Sequence, residues 1–124
     1  MTTIAPQAAL VHELGPNRFT ALATPTLGSR ETSVWIVEIP PDSPATPHQL
    51  THEEVFIVLQ GTAEVTLGDQ IEQASAGGAI IVPPDTLFQV RNNGTETFKA
   101  VCCLPVGGQA KIGDGEPFTP PWAQ

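Results

Sequence analysis

The stretch His48-Gln49-Leu50-Thr51-His52-Glu53-Glu54-Val55-Phe56-Ile57-Val58-Leu59-Gln60-Gly61 sets two of the chain's three histidines and a pair of carboxylates just ahead of an unbroken apolar run. Metal-ligand residue types at the mouth of a buried strand suit a metal site, an acid/base site or a polar strand end. Phe56 and Val58 fall on one face of that strand and Ile57 and Leu59 on the other, so the strand is expected to be covered on both sides.

The neighbouring segments have the same character. Upstream, Ser33-Val34-Trp35-Ile36-Val37-Glu38-Ile39 is rich in β-branched and aromatic residues and is stopped by Pro40-Pro41-Asp42. Downstream, Thr62-Ala63-Glu64-Val65-Thr66-Leu67 alternates and turns through Gly68-Asp69 into Gln70-Ile71-Glu72-Gln73, a hairpin with one wet face. Ala79 to Val82 follows Gly77-Gly78, and Thr86 to Arg91 leads to Asn92-Asn93-Gly94, which predicts a tight hairpin back into Glu96 to Leu104. Ala8 to Val11 and Arg18 to Ala23, separated by Gly15-Pro16-Asn17, read as edge strands, and the tail around Pro117, Pro120 and Pro121 holds too many prolines for a regular element. Strand-like runs recur about every 8–12 residues and no window has helical periodicity, which predicts an all-β sandwich or barrel.

At 124 residues the chain is expected to fold as one domain, with N-terminal edge strands over 1–31, a barrel core over 32–105 and a Pro-rich tail over 106–124. Thirteen Asp+Glu against five Lys+Arg give a formal net charge of -8, which repels nucleic-acid phosphates and anionic membranes. Adjacent Cys102 and Cys103 build no disulfide framework and suit a reducing cytoplasm, and the N-terminus lacks the pattern of a signal peptide.

The residues now assembled resemble the cupin superfamily, in its small single-domain type-2 form, whose fold is a double-stranded β-helix or jelly-roll barrel. That family's first motif reads Gly, five residues, His-x-His, three or four residues, Glu, six residues, Gly, and falls here on Asp42, His48, Leu50, Glu54 and Gly61. Its second reads Gly, five residues, Pro-x-Gly, two residues, His, three residues, Asn, and falls on Gly77, Pro83, Asp85, Phe88 and Asn92. Aspartate stands at two expected glycines, and it tolerates left-handed turns better than most residues. Leucine and phenylalanine stand at two of the four metal ligands that the resemblance implies and bring no lone pair. His48 and Glu54 remain.

The motif is therefore degenerate, and the leading expectation is a metal-independent enzyme that isomerises, cyclises or dehydrates a small, largely apolar metabolite. His48 and Glu54 would form its proton-transfer pair, and no cofactor is required. The pocket around them is expected to be lined by Trp35, Val37, Leu50, His52, Phe56, Val58, Phe88, Val90 and Cys102. One alternative is a metal-dependent dioxygenase or isomerase holding Fe, Mn, Zn or Ni on His48, His52 and Glu54, which share a face if the strand is regular. Another is a non-catalytic ligand-binding module. Asn92 is expected to hold a turn. The doubly apolar strand predicts a homodimer in which residues 8 to 23 help cover the partner's sheet.

Overall fold

The computed structural model describes residues 1–124 as eleven strands. They are β1 (Leu10–Leu14), β2 (Asn17–Ala23), β3 (Thr32–Ile39), β4 (Gln49–Leu50), β5 (Glu54–Gln60), β6 (Thr62–Leu67), β7 (Gln70–Ser75), β8 (Ala79–Val82), β9 (Phe88–Arg91), β10 (Phe98–Pro105) and β11 (Ala110–Lys111). The only helical pieces are 3-10 turns at Pro6–Ala8, Pro25–Leu27 and Pro121–Ala123. No helix is long and apolar enough to cross a membrane.

All pairings are antiparallel. A six-stranded sheet in the order β1-β2-β3-β10-β5-β8 faces a three-stranded sheet β7-β6-β9, and the short pair β11-β4 lies beside them. This is the expected jelly-roll barrel. Alternation along each strand decides what lies inside: Ser33, Trp35, Val37 and Ile39 on β3 are buried, as are Phe98, Ala100, Cys102 and Leu104 on β10 and Glu54, Phe56 and Val58 on β5. Phe88 and Phe98, at 1% and 0% exposure, anchor the core, each contributing on the order of 2–3 kcal/mol through burial.

Turn chemistry explains most connections. Leu67 pairs with Gln70, so Gly68-Asp69 makes the expected two-residue hairpin, and β7 is mostly exposed. Asp42 and Asp85, the two aspartates at motif glycine positions, adopt φ 62° and 54° and keep the left-handed turns in place. Gly61 has φ 78°, and a Cβ there would sit 2.8 Å from the Thr97 carbonyl oxygen.

Two expectations fail. Asn92-Asn93-Gly94 does not close a hairpin, because β9 pairs with β6 in the small sheet while β10 pairs with β3 and β5 in the large one. Instead the Asn92 amide donates to the carbonyls of Ile39 and Glu96, both at 2.8 Å, and its Oδ1 accepts from the Gly94 N–H at 2.9 Å. It pins a crossover between sheets. Nor is β2 an edge strand, since it lies between β1 and β3.

The tail, though poor in regular structure, is tied down. Ala110 and Phe118 exchange backbone hydrogen bonds at 2.8 and 2.9 Å, and the Ser33 hydroxyl donates to the Ala123 carbonyl at 2.8 Å. Trp122 stacks on Phe19 with ring centroids 3.7 Å apart and planes 9° from parallel. Phe19 lies opposite the inward-facing Val37, so the tail packs on the inner side of the large sheet at β2 and β3. The outer face of β5 is left without a cover from this chain.

Candidate functional site

Glu54 opens β5 on its inward face, opposite Val82 of β8. Val55 stands opposite Cys103, and Ser33 opposite Leu104, so Ser33, Leu104, Glu54 and Val82 form one row across the end of the large sheet. The tail meets that row at Ser33, whose hydroxyl donates to the Ala123 carbonyl. Glu54 is 5% exposed, and the only ion pair in the molecule, Arg18 to Glu13 at 3.8 Å, lies on the surface. Burial, with no bond or charge to offset it, pushes its carboxyl up to about 8. At neutral pH it therefore carries a proton.

Two sulfurs lie in its field. Cys102 is 1% exposed beside Phe56, and its thiol is pushed well up, first by burial and then by the Glu54 and Cys103 charges. Cys103 faces outward from the same strand and is raised by burial and by Glu54. The influence runs one way, because the thiols are still neutral when Glu54 loses its proton. Cys102 thus belongs to the core.

His48 is positioned by a bridge to Phe88, in which the two backbones exchange hydrogen bonds at 3.0 and 2.9 Å. Its ring lies 4.3 Å from that of Phe88, which in turn meets Phe56 edge-on at 6.4 Å. Burial lowers the imidazole pKa, and the Thr46 carbonyl partly offsets this by accepting from Nδ1 at 3.0 Å. A carbonyl can only accept, so a neutral His48 holds its proton on Nδ1 and leaves Nε2 with a free lone pair.

The proposed His48–Glu54 pair does not form a contact: no ion pair joins them, and the His48 ring packs against Phe88. His52 is also elsewhere. Thr51 to Glu53 form a bend, which breaks the regular strand that the shared face required, and exposed His52 bonds Thr51 Oγ1 at 2.8 Å. The donor set does not fit the metal that the family motif implies. Leu50 and Phe88, at 3% and 1% exposure, occupy two ligand positions with hydrocarbon, and no three His, Cys, Asp or Glu side chains gather as a ligand group.

The expected pocket lining also behaves differently. Trp35, Val37, Leu50, Phe56, Val58, Phe88 and Cys102 do meet, but as one packed cluster with Val90 against it and His52 outside. Side chains of the size of leucine and phenylalanine fill the room that two imidazoles and an ion would share. A shallow hollow of about 170 Å³ opens beside Phe88, between Pro47, Thr66, Leu87 and Gln89. A second, of about 110 Å³, lies between Leu67, Ala74 and Ile80. What sequence reasoning missed was Ser33 and its bond to the tail. The signal was present, since alternation with Trp35 and Val37 puts a serine on the core face.

Comparison with known proteins places this geometry. A family model, the cupin domain, matches residues 35–104. An uncharacterised protein of Methanocaldococcus jannaschii is 32% identical over 53 residues, which are 43% of this chain and 42% of that relative, so the match spans less than half of either. Among solved structures, Lactobacillus farciminis oxalate decarboxylase in its formate complex superposes with TM-score 0.71 at 20% identity, over 78% of this chain and 31% of that one. The polyketide cyclase RemF of Streptomyces resistomycificus gives 0.70 at 20%, over 85% and 79%, and KdgF from a Halomonas species gives 0.71 at 17%, over 84% and 94%. With both motif frames in register, both left-handed turns kept and the family match covering residues 35–104, the chain belongs to the cupin family.

Proposed function

We propose that this chain is a small-molecule enzyme in which Glu54 acts as a general acid, in an isomerisation, cyclisation or dehydration of a largely apolar metabolite. The observation that carries this reading is the Glu54 carboxyl, 5% exposed, unpaired and held protonated to about pH 8 inside an apolar barrel. Burying such a group without a partner is costly, and perturbed carboxyls of this kind concentrate at catalytic sites. In a dehydration the Glu54 proton goes to the departing hydroxyl, which leaves as water. The neutral imidazole of His48, with Nε2 free, takes the carbon-bound proton. Acid and base are thus already in the protonation states they need, and the substrate connects them. A barrel of the same fold serves a polyketide cyclase in RemF, so cyclisation lies within its reach.

Because the interior is packed, substrate enters by displacing part of the wall, and the tail, which meets the Glu54 row at Ser33, is poor in regular structure. Glu54→Gln is the test. It keeps the shape and removes the acid, so turnover of an identified substrate is expected to fall by about 10²–10⁴-fold with the fold intact. Full activity in that variant, or a ligand recovered unchanged after incubation with fresh parent protein, would overturn the assignment.

A further inference from the structure

The tail ends in a contact that protein cores seldom choose. Its final 3-10 turn, Pro121–Ala123, packs on β1, β2 and β3, and there the Trp122 ring lies on Phe19 with centroids 3.7 Å apart and planes 9° from parallel. Aromatic side chains favour edge-on or offset contacts with centroids about 4.5–7 Å apart, because both ring faces are electron-rich and repel when stacked squarely. A flat ring whose face is depleted of electrons by a conjugated carbonyl is attracted in the geometry where indole is not.

The polar groups beside the stack point the same way. Ser33 Oγ donates to the Ala123 carbonyl at 2.8 Å. Thr24 follows Ala23, which pairs with Val34, and its extended backbone, φ -131° and ψ 167°, turns its side chain onto the inner face next to Ser33. Thr24 is 0% exposed, and its hydroxyl has no partner, an arrangement that costs stability. A carbonyl oxygen has two lone pairs. That of Ala123 takes Ser33 alone, because its residue is tied back by an N–H bond to the Pro120 carbonyl at 2.9 Å. A carbonyl free of the chain can accept from Ser33 and Thr24 together. Trp122 and Ala123 thus present a ring and a carbonyl, and a ligand carrying both would satisfy more of the site than they do. The segment is also free to leave. Ile112 to Phe118 is exposed and Phe118 is anchored to Ala110, so only the residues from Thr119 onward have to lift.

We infer that the inner face of β2 and β3 beneath the tail is a binding site for a flat, carbonyl-conjugated aromatic molecule of two or three fused rings. The ligand stacks on Phe19 in place of Trp122 and accepts from Ser33 and Thr24, and the tail is its built-in competitor. The site is separate from Glu54, since β2 lies three strands from β5 in the large sheet.

Fluorenone is the probe, titrated into the full chain up to its solubility and followed by calorimetry and by the Trp122 indole N–H signal in NMR, which should move as the ring is displaced. Trp122→Ala removes the competitor and should tighten binding about tenfold or more, whereas Phe19→Leu should weaken it by a similar factor. Thr24→Val separates a ligand contact from a structural one. Deleting an unpartnered hydroxyl should raise the Tm of the free protein, while losing a bond to the probe should raise the Kd about threefold or more. Perhydrofluorenone, which keeps the carbonyl and loses the flat rings, should bind at least about tenfold more weakly. Glu54→Gln should bind fluorenone as the parent does, so this site and the acid role of Glu54 stand or fall separately. Far-UV circular dichroism checks the fold of each variant. No binding by either the parent or Trp122→Ala, equal binding of perhydrofluorenone, an unchanged Kd in folded Thr24→Val, or a changed one in Glu54→Gln would overturn the inference.

Discussion

Phe88 stands where the family motif has a histidine, and it holds the histidine that remains: the two residues exchange backbone hydrogen bonds at 3.0 and 2.9 Å, and their rings lie 4.3 Å apart. A lost ligand has become the packing partner of a surviving one. Phe88→Ala should therefore do two separable things. It should cost about 3–5 kcal/mol of stability, the usual range for deleting a buried phenyl ring, measured by urea denaturation. It should also let water reach His48, so that the imidazole pKa, now lowered by burial, climbs toward 6.5 in an NMR titration. An unchanged pKa would show that Phe88 is not what desolvates the ring.

Glu54 predicts an unusual dependence of stability on pH. Its pKa is about 8 in the folded protein against 4.5 when unperturbed, so between these values the folded state binds more protons than the unfolded one. Stability from this group is complete below pH 4.5 and is lost as pH rises through 8, a fall on the order of 5 kcal/mol in total. His48 works in the opposite sense below 6.5, where an unfolded imidazole takes up a proton that the buried ring resists. The Glu54 decline is therefore cleanest between about pH 6.5 and 8. Glu54→Gln should flatten it in denaturation curves across that window, and the proposed activity should fall through the same pH as the acid loses its proton. A parent protein whose stability is level from pH 6.5 to 8 would contradict a buried carboxylic acid.

The two aspartates at motif glycine positions hold φ 62° and 54°, a region that strains residues with a Cβ. Asp42→Gly and Asp85→Gly should each stabilise the protein, by up to about 1 kcal/mol, since glycine takes this geometry without the steric cost. At Gly61 the same reasoning has the opposite sign. Gly61→Ala would push a methyl to 2.8 Å from the Thr97 carbonyl oxygen, and a loss of at least about 2 kcal/mol is expected in thermal unfolding.

These positions also show why the barrel was legible in the sequence and the site less so. Strand alternation and motif spacing act over a few residues, so β3, β5, β6 and the Gly68-Asp69 hairpin could be read directly, as could the left-handed turns. Partner choice is a long-range matter. Asn92-Asn93-Gly94 is a good hairpin signal locally, but the inward faces of β9 and β10 belong to different sheets, and the tertiary fold overrides the turn. The His48–Glu54 distance depends on what occupies the barrel, and two bulky replacements, Leu50 and Phe88, turned a predicted pocket into packed core. His52 shares a face with His48 and Glu54 only in a regular strand, and the bend at Thr51 and His52 removes that condition.

The tail offers the last test, because it meets at Ser33 the row of side chains that includes Glu54. Trp122 stacks on Phe19 at 3.7 Å, and the Ala123 carbonyl accepts from Ser33, which shares a row with Glu54. Both contacts are made by a segment whose prolines donate no backbone hydrogen bonds, so beyond the Ala110–Phe118 backbone pair the tail is held by one stacked ring and one hydroxyl. Trp122→Ala should cost about 2 kcal/mol, since the ring is only half-buried. Ending the chain after Glu116 should go further and admit water to the carboxyl. Its pKa, about 8 when burial alone sets it, should then fall toward 4.5, and the decline of stability with pH should shrink with it. The carboxyl stretch in isotope-edited infrared spectra reads that protonation state directly. If the truncated chain folds and still keeps Glu54 protonated at pH 7, the desolvation comes from the strands themselves and the tail is not the gate.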